Sequence, residues 1–411
     1  MSELKEEGKG LYSKFTLFFT VAVNLLLLFR YKYMNFFTAT LLRFLPFTSR
    51  WVTQSEVALP IGISFFTFQA ISYVVDVYRG TKVQKNPGYV ALYISLFPQL
   101  IAGPIVRYNM VEKEIENREI TVDMFSEGVL RFLRGFNKKV LLANLLAVVA
   151  DASWDNGGRS VAMAWLGAFC YMLQIFFDFS GYSDMAIGLG KMLGFHFPEN
   201  FNYPYISRTI SEFWRRWHIS LSSWFRDYMY IPLGGSRVRT KGRLVFNLYV
   251  VWLLTGIWHG ANWGFLAWGA IYAFFICMEK ILGMEKRVEE HQMLRWCYRG
   301  FTLLIVLLLW VLFRSEGLDI ARNYLFSMLG LGGNAIGDAS ALFYLREYRV
   351  PLVVGILCCT PFFRKLRERC ELMGKGELCN ALTAVCQMVL FVFSISYLVI
   401  DAHNPFIYFN F

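Results

Sequence analysis

Long stretches without a charged residue recur along the whole chain and constrain its fold more than any other feature. They include Phe15–Phe29 (15 residues), Asn86–Val106 (21), Leu244–Met278 (35) and Leu378–Ile400 (23). A helix needs about 20 apolar residues to cross about 30 Å of hydrocarbon. Within a bilayer only helices and closed barrels satisfy all their backbone hydrogen bonds. The pattern therefore predicts an all-α polytopic membrane protein.

Composition supports this prediction, because only 17% of the residues are charged and 56% are hydrophobic. Soluble domains carry about 25% charged residues, so an ordinary soluble enzyme is excluded. Runs such as Val140–Ala150 (11 residues) and Ser160–Phe177 (18) are short for a straight crossing and predict tilted or re-entrant helices. The eight cysteines form no C-x-x-C pair, so neither a disulfide framework nor a zinc site is expected.

The 35-residue run Leu244–Met278 is too long for one crossing, since as a single helix it would measure about 52 Å. Three glycines and several polar residues interrupt it between Thr255 and Gly264, which predicts a broken helix. His259 lies 16 residues after Arg243 and should be deep in the membrane. An ionisable residue at that depth is a candidate functional residue, although a histidine that only packs between helices is the alternative.

The preceding segment, Arg208–Arg243, contains eight Lys and Arg residues against two acidic residues, which predicts a cytoplasmic location. Aromatic residues recur in it at spacings of three and four, as in helices that lie in the membrane interface. One interpretation is a surface anchor and nothing more. The other is that Arg215, Arg216 and Arg226 attract an anionic cytosolic donor while His218 faces the route inward. The basic residues between apolar runs do not indicate nucleic-acid binding.

The segment Asp178–Asp184 places two carboxylates in an apolar stretch, where charges are costly unless they are paired or hydrated. Asp184 has two interpretations. It either orients a histidine or binds an acceptor, or it forms a structural ion pair with Arg79 or Arg226.

A series of segments in a fixed order resembles one known family, the membrane-bound O-acyltransferases (MBOAT), and within it the alginate O-acetyltransferase (AlgI-like) branch. The matching segments are 59–66 (LPIGISFF), 76–80 (DVYRG), 97–105 (FPQLIAGPI), 177–186 (FDFSGYSDMA), 213–218 (FWRRWH), 226–228 (RDY) with 232–235 (PLGG), and 258–260 (WHG). The resemblance covers nearly the whole chain.

This resemblance implies one membrane domain over residues 1–411, with the family's first hydrophobic helices missing before residue 15. It implies a ring of short, broken or re-entrant helices and cytoplasmic interfacial helices around a central tunnel. By the family's motif, His259 is the catalytic histidine and His218 the second functional histidine. The implied activity moves an acyl group, in this branch acetyl, from a cytosolic thioester to an extracytoplasmic glycan. The implied location is the plasma membrane.

A thioester is already activated, so the chemistry needs little more than a base and a shielded path. A neutral His259 imidazole can accept the proton of the attacking hydroxyl. Asn262 either polarises the carbonyl or caps the broken helix. The residues predicted to bind substrate are Arg215, Arg216, Arg226, Trp258, Asn262 and Asp184. His218 and His259 are expected to act at different depths, up to about 24 Å apart along a helix.

The expected donor is acetyl-CoA or another acyl thioester, with no bound cofactor and no metal. Besides membrane lipid, the expected partner is an extracytoplasmic SGNH-type acetyltransferase or the glycan acceptor itself. Two alternatives stay open at this point. One is DltB-like transfer of D-alanine to teichoic acid. The other is a polytopic transporter, which broken helices would also fit.

Overall fold

The computed structural model describes residues 10–45, 47, 59–155 and 159–400, and these residues form helices joined by short connections. The predicted absence of helices before residue 15 concerns in part residues 1–9, which lie outside the described residues. The helices are α1 (Gly10–Leu28), α2 (Met34–Phe44), α3 (Ile63–Arg79), α4 (Pro87–Ser95), α5 (Phe97–Leu100), α6 (Tyr108–Glu116), α7 (Val122–Lys138), α8 (Leu145–Asp155), α9 (Val161–Met192), α10 (Ile210–Arg216), α11 (Ile219–Phe225), α12 (Lys241–His259), α13 (Trp263–Leu282), α14 (Met284–Glu290), α15 (Gln292–Arg314), α16 (Leu318–Met328), α17 (Ala339–Glu347), α18 (Arg349–Cys358), α19 (Phe362–Leu372) and α20 (Gly376–Ile400).

Among the described residues, five helical stretches are long and apolar enough to cross a membrane. They are Gly10–Phe44, Val161–Met192, Trp263–Leu282, Gln292–Arg314 and Gly376–Val399. The first of these joins α1 to α2 through a π-helical turn at Phe29–Tyr33. The prediction of an all-helical polytopic membrane protein is confirmed.

Helix α9 forms the centre of the bundle and is buried over most of its length. Its neighbour α7 approaches it through glycines. A Cβ atom on Gly135 would lie 2.4 Å from the carbonyl oxygen of Gly181, and one on Gly128 would lie 2.7 Å from that of Gly188. Small residues at such contacts let two membrane helices pack backbone to backbone.

The two carboxylates of α9 are both paired, but the predicted partners of Asp184 were wrong. Its oxygens bind Arg131 and Lys138, each at 2.6 Å, and not Arg79 or Arg226. Asp178 pairs with Lys139 at 2.5 Å. Since these cations come from α7 and the turn after it, the ion pairs join the two central helices.

The 35-residue apolar run folds into two helices, so the predicted break is confirmed. Helix α12 ends at His259 and α13 begins at Trp263. A Cβ on Gly256 would lie 2.3 Å from the carbonyl oxygen of Phe265, and one on Gly269 would lie 2.4 Å from that of Trp252. The glycines therefore let the two helices form a tight antiparallel hairpin with His259 near its bend.

The hairpin runs between two ends of the molecule, a basic end and the end opposite to it. At the basic end, where α12 begins, Arg208 and Arg215 pair with Glu289 and Glu285 of α14. At the opposite end, the Asn262 side chain donates to the carbonyl oxygen of Glu316, just after α15. Helix α12 spans about 27 Å between these ends at 1.5 Å per residue.

The aromatic side chains of the basic segment are not the interfacial anchors that the sequence predicts. Phe213, Trp214, Trp217 and Trp224 are at most 5% exposed and pack into the main core. Thr209 caps α10 by accepting from the Glu212 N–H. Short helices α10 and α11 thus insert their aromatic faces into the bundle, while α10 directs the charged ends of Arg215 and Arg216 toward the surface.

Candidate active site

His259 lies at the C-terminal end of α12 and is almost completely buried. Its ring contacts those of Trp258, Trp268 and Phe313, with centroid distances of 4.9, 5.1 and 5.1 Å. It lines a cavity of about 130 Å³, which has room for a small acyl group. The wall of this cavity consists of Lys32, residues 59–65, Ile101, Trp258 and His259.

Trp258 brings the two candidate histidines together. Its ring centroid lies 4.9 Å from that of His259 and 5.9 Å from that of His218. The expected separation along the membrane normal was therefore wrong, because the chain folds back and inserts His218 beside the end of α12. The two imidazoles are not hydrogen bonded to each other, since Nε2 of His218 has no partner among the described residues and Nδ1 contacts Asn200.

The His218 ring is held in one orientation by Asn200, a residue that no motif in the sequence pointed to. Asn200 Oδ1 lies 3.1 Å from His218 Nδ1 and also accepts from the Ser220 N–H and hydroxyl. A carboxamide oxygen can only accept, so we assign the proton to Nδ1 and the lone pair to Nε2. Burial lowers the pKa of His218 to about 3, which keeps the imidazole neutral.

The backbone of His218 is also unusual. It adopts a left-handed conformation with φ 45° at the start of α11. Residues other than glycine rarely occupy this region, and when they do the site is often functional.

A lysine that the sequence analysis did not single out also faces the cavity. Lys32 Nζ donates to the carbonyl oxygen of Trp258 at 2.5 Å and to the Ser64 hydroxyl at 3.2 Å. The available signal was weak: Lys32 follows Arg30, the residue that ends the uncharged run Phe15–Phe29, inside a helical stretch long enough to cross a membrane.

A second opening lies toward the basic end and contains two of the three predicted donor-binding arginines. Arg215 and Arg226 line this groove together with Ser211, Ser222, Tyr230, Trp252 and Thr255. Both guanidinium groups are exposed and have acidic neighbours, Glu285 and Asp227 respectively. Arg216 does not line the groove; it binds Glu212 and the carbonyl oxygen of Asn202.

Aromatic rings connect the groove to the cavity. Phe225 lines the groove and contacts Phe68, which in turn contacts Trp258 of the cavity, with centroid distances of 5.6 Å in both cases. Along α12, Trp252 faces the groove and His259 the cavity, seven residues or about 10 Å apart.

The remaining predicted substrate-binding residues have structural partners. Asn262 accepts from the Gly264 N–H and caps α13, while its NH₂ group donates to Glu316. Of its two interpretations, the geometry supports the helix cap. Asp184 is occupied by Arg131 and Lys138, as described above. Neither residue lines the cavity.

Segments that are distant in sequence meet around these openings. Asp76 accepts from the Tyr228 hydroxyl at 2.7 Å, and Arg79 donates to the carbonyl oxygen of Asp227. Arg107 pairs with the Asp227 carboxylate at 2.8 Å. The segments 76–80 and 226–228 thus form one cluster, and 59–66 forms the wall opposite His259.

Comparison with known protein families gives a match over more than half of the chain. The sequence model of the membrane-bound O-acyltransferase family matches residues 86–315. The chain belongs to this family. Residues 86–315 include both histidines, the basic groove and helix α9.

The relatives of this MBOAT chain include polysaccharide-modifying proteins. It is 40% identical to a probable alginate O-acetylase AlgI of Pseudomonas putida over 407 residues, which cover 95% of this chain and 83% of the relative. It is 35% identical to a peptidoglycan O-acetyltransferase of Helicobacter pylori over 355 residues, covering 78% and 66%. A teichoic acid D-alanyltransferase of Bacillus subtilis is 31% identical over 232 residues, covering 52% and 57%. Four further alginate O-acetylases, 45–49% identical, are covered over 56–63% of their length.

The sidedness of the two ends can be tested with cysteine labelling. Ser236 is exposed at the basic end and Glu316 at the opposite end. In a background with the exposed Cys297 and Cys386 replaced by serine, we expect Ser236→Cys to react with a membrane-impermeant thiol reagent only after the cells are opened. Glu316→Cys is the matched control and should react in intact cells. Labelling of Ser236→Cys in intact cells would reverse the topology and remove the cytosolic donor from the scheme.

Proposed function

We propose that this protein transfers an acetyl group from a cytosolic thioester to a hydroxyl of an extracytoplasmic glycan, in the plasma membrane. The observation that carries the proposal is the arrangement along α12. A groove with two arginines lies beside its middle, from Leu248 to Thr255, and a small cavity with His259 lies at its C-terminal end. Acyl transfer across a membrane needs these two features, a site that attracts the donor and a site that holds the acyl group beside a base.

The groove suits an anionic thioester donor such as acetyl-CoA or an acyl carrier protein. Arg215 and Arg226 supply positive charge, and Ser211, Ser222 and Tyr230 supply hydroxyl groups. Guanidinium groups bind phosphate oxygens through two parallel hydrogen bonds. The apolar inner part of the groove, formed by Trp252, Leu248 and Phe225, suits the uncharged pantetheine arm.

In this scheme the acetyl end of the donor passes the Phe68 and Trp258 rings and reaches the cavity. His259 removes the proton of the acceptor hydroxyl as its oxygen attacks the carbonyl carbon. It then returns the proton to the sulfur as the C–S bond breaks. The acceptor approaches from the end marked by Asn262 and Glu316. The final acceptor is a polysaccharide, or an SGNH-type acetyltransferase outside the membrane that passes the group on.

Acetyl transfer is favoured over D-alanyl transfer because the acetylase relatives are more similar and align over more of this chain than the D-alanyltransferase relatives. Family membership likewise favours acyl transfer over transport. These comparisons support the reaction class and the choice of acyl group; the donor itself is distinguished by assay.

The purified protein in nanodiscs should release or transfer radiolabelled acetyl from acetyl-CoA or from an acetylated carrier protein. It should not use D-alanyl carrier protein. Arg226→Ala is expected to raise the donor KM about tenfold, and Arg322→Ala, an exposed arginine outside the groove, is the matched control. Turnover of the D-alanyl donor alone would replace glycan acetylation by D-alanylation.

A further inference from the structure

Lys32 is an ammonium group in an unusual place. It belongs to the helical stretch Gly10–Phe44, whose length and composition fit a membrane crossing, yet its side chain points into the bundle toward the His259 cavity. Within the described part of the chain, no carboxylate lies within 4.0 Å of it. A lysine at membrane depth is costly and usually marks a functional site.

The two hydrogen bonds of Lys32 account for where its side chain lies, but neither of them requires a positive charge. The Trp258 carbonyl is one of the last of α12, where backbone acceptors lack helical partners, and Nζ caps it at 2.5 Å. The Ser64 hydroxyl accepts a second bond. A neutral donor could make both bonds, and an ammonium group has a third N–H for a further ligand.

Other groups around the cavity also favour negative charge there. The cavity wall includes Gly62 and Ile63 at the N-terminus of α3, where the helix dipole is positive. Gly62 has φ 76°, and a Cβ on it would lie 2.4 Å from the Leu100 carbonyl oxygen. Glycine is therefore needed where this helix start packs against Leu100, next to Ile101 of the cavity wall.

We propose that Lys32 is a catalytic residue that binds the negative charge developing on the thioester carbonyl oxygen during transfer at His259; this inference rests on the proposed function. The attacking hydroxyl oxygen forms the new C–O bond and gives its proton to His259. The carbonyl π electrons move onto oxygen, beside the Lys32 ammonium. When the C=O bond re-forms, the C–S bond breaks and the thiolate takes the proton from His259. Such preorganised donors act most strongly in a water-poor site.

Lys32→Gln keeps a hydrogen-bond donor and removes the charge. It therefore separates hydrogen bonding to Trp258 and Ser64 from the stabilisation of negative charge. With acetyl-CoA as donor, we expect its kcat to fall at least 100-fold, as for loss of an oxyanion-binding donor, with the donor KM within about threefold of wild type. Its melting temperature should remain near that of the wild type. Lys32→Arg, which restores the charge, should have a kcat at least tenfold higher than that of Lys32→Gln. Lys286→Gln, at an exposed lysine outside the cavity, is the matched control.

Acetate release without any glycan distinguishes the donor oxygen from an anionic acceptor. If Lys32 binds the donor-derived oxyanion, Lys32→Gln lowers acetate release from acetyl-CoA and transfer alike. If hydrolysis is unchanged and only transfer to a charged glycan falls, the proposal is wrong. Should Lys32→Gln fail to accumulate, Ser64→Ala is the second variant, and an unchanged kcat there also overturns the proposal. Full activity of Lys32→Gln alongside an inactive His259→Ala rejects the role of Lys32 alone, whereas an active His259→Ala rejects the proposed function.

Discussion

His259→Ala should abolish glycan acetylation while the protein accumulates in the membrane at near wild-type level. The change removes the proposed base from the cavity but no membrane-spanning run. General-base catalysis typically contributes 10²-fold or more, so less than about one hundredth of wild-type transfer is expected. The measurement is radiolabelled acetyl incorporation into the polysaccharide of cells, with the amount of protein determined by immunoblot.

Two further variants make this result interpretable. His259→Gln fills more of the space between Trp268 and Phe313 and should be equally inactive, which excludes collapse of the aromatic cluster as the cause. His291→Ala alters an exposed histidine between α14 and α15 and should retain full activity. More than about a tenth of wild-type activity in His259→Ala would refute the general-base role.

Structural features that depend on local composition could be predicted from the sequence. The break after His259 followed from Gly256 and Gly260 inside an apolar run too long for one helix, and the structure has α12 end at His259. The need to pair Asp178 and Asp184 followed from the cost of charge in an apolar stretch. Both conclusions require only neighbouring residues.

Predictions that depended on tertiary contacts were less successful. Asp184 binds Arg131 and Lys138 from α7, and no feature of the sequence distinguishes these cations from Arg79 or Arg226. Lys32 reaches the carbonyl oxygen of Trp258 across 226 positions of the chain. The aromatic residues of α10 and α11 have the same spacing in a membrane interface as in a core, so periodicity could not separate these locations.

The position of His218 beside Trp258 changes how the two histidines divide the work. Their rings are neighbours of one indole, so depth no longer separates them. The difference lies in their surroundings. His218 is fixed by Asn200, and the Trp258 ring that it contacts also contacts Phe68 on the donor side. His259 lines the reaction cavity. We therefore propose that His218 positions the donor and His259 transfers the proton.

His218→Gln should consequently raise the donor KM about tenfold and leave some transfer at saturating donor, whereas His259→Gln should show no recovery. Lost binding can be overcome by concentration, but a lost base cannot. A titration of acetyl-CoA in membrane vesicles measures both, with His196→Gln, an exposed histidine paired with Glu114, as the matched control. If both variants stay inactive at saturating donor, the division is wrong. The proximity of both rings to Trp258 would then indicate one shared His–His site, in which Nε2 of His218 participates directly in proton transfer.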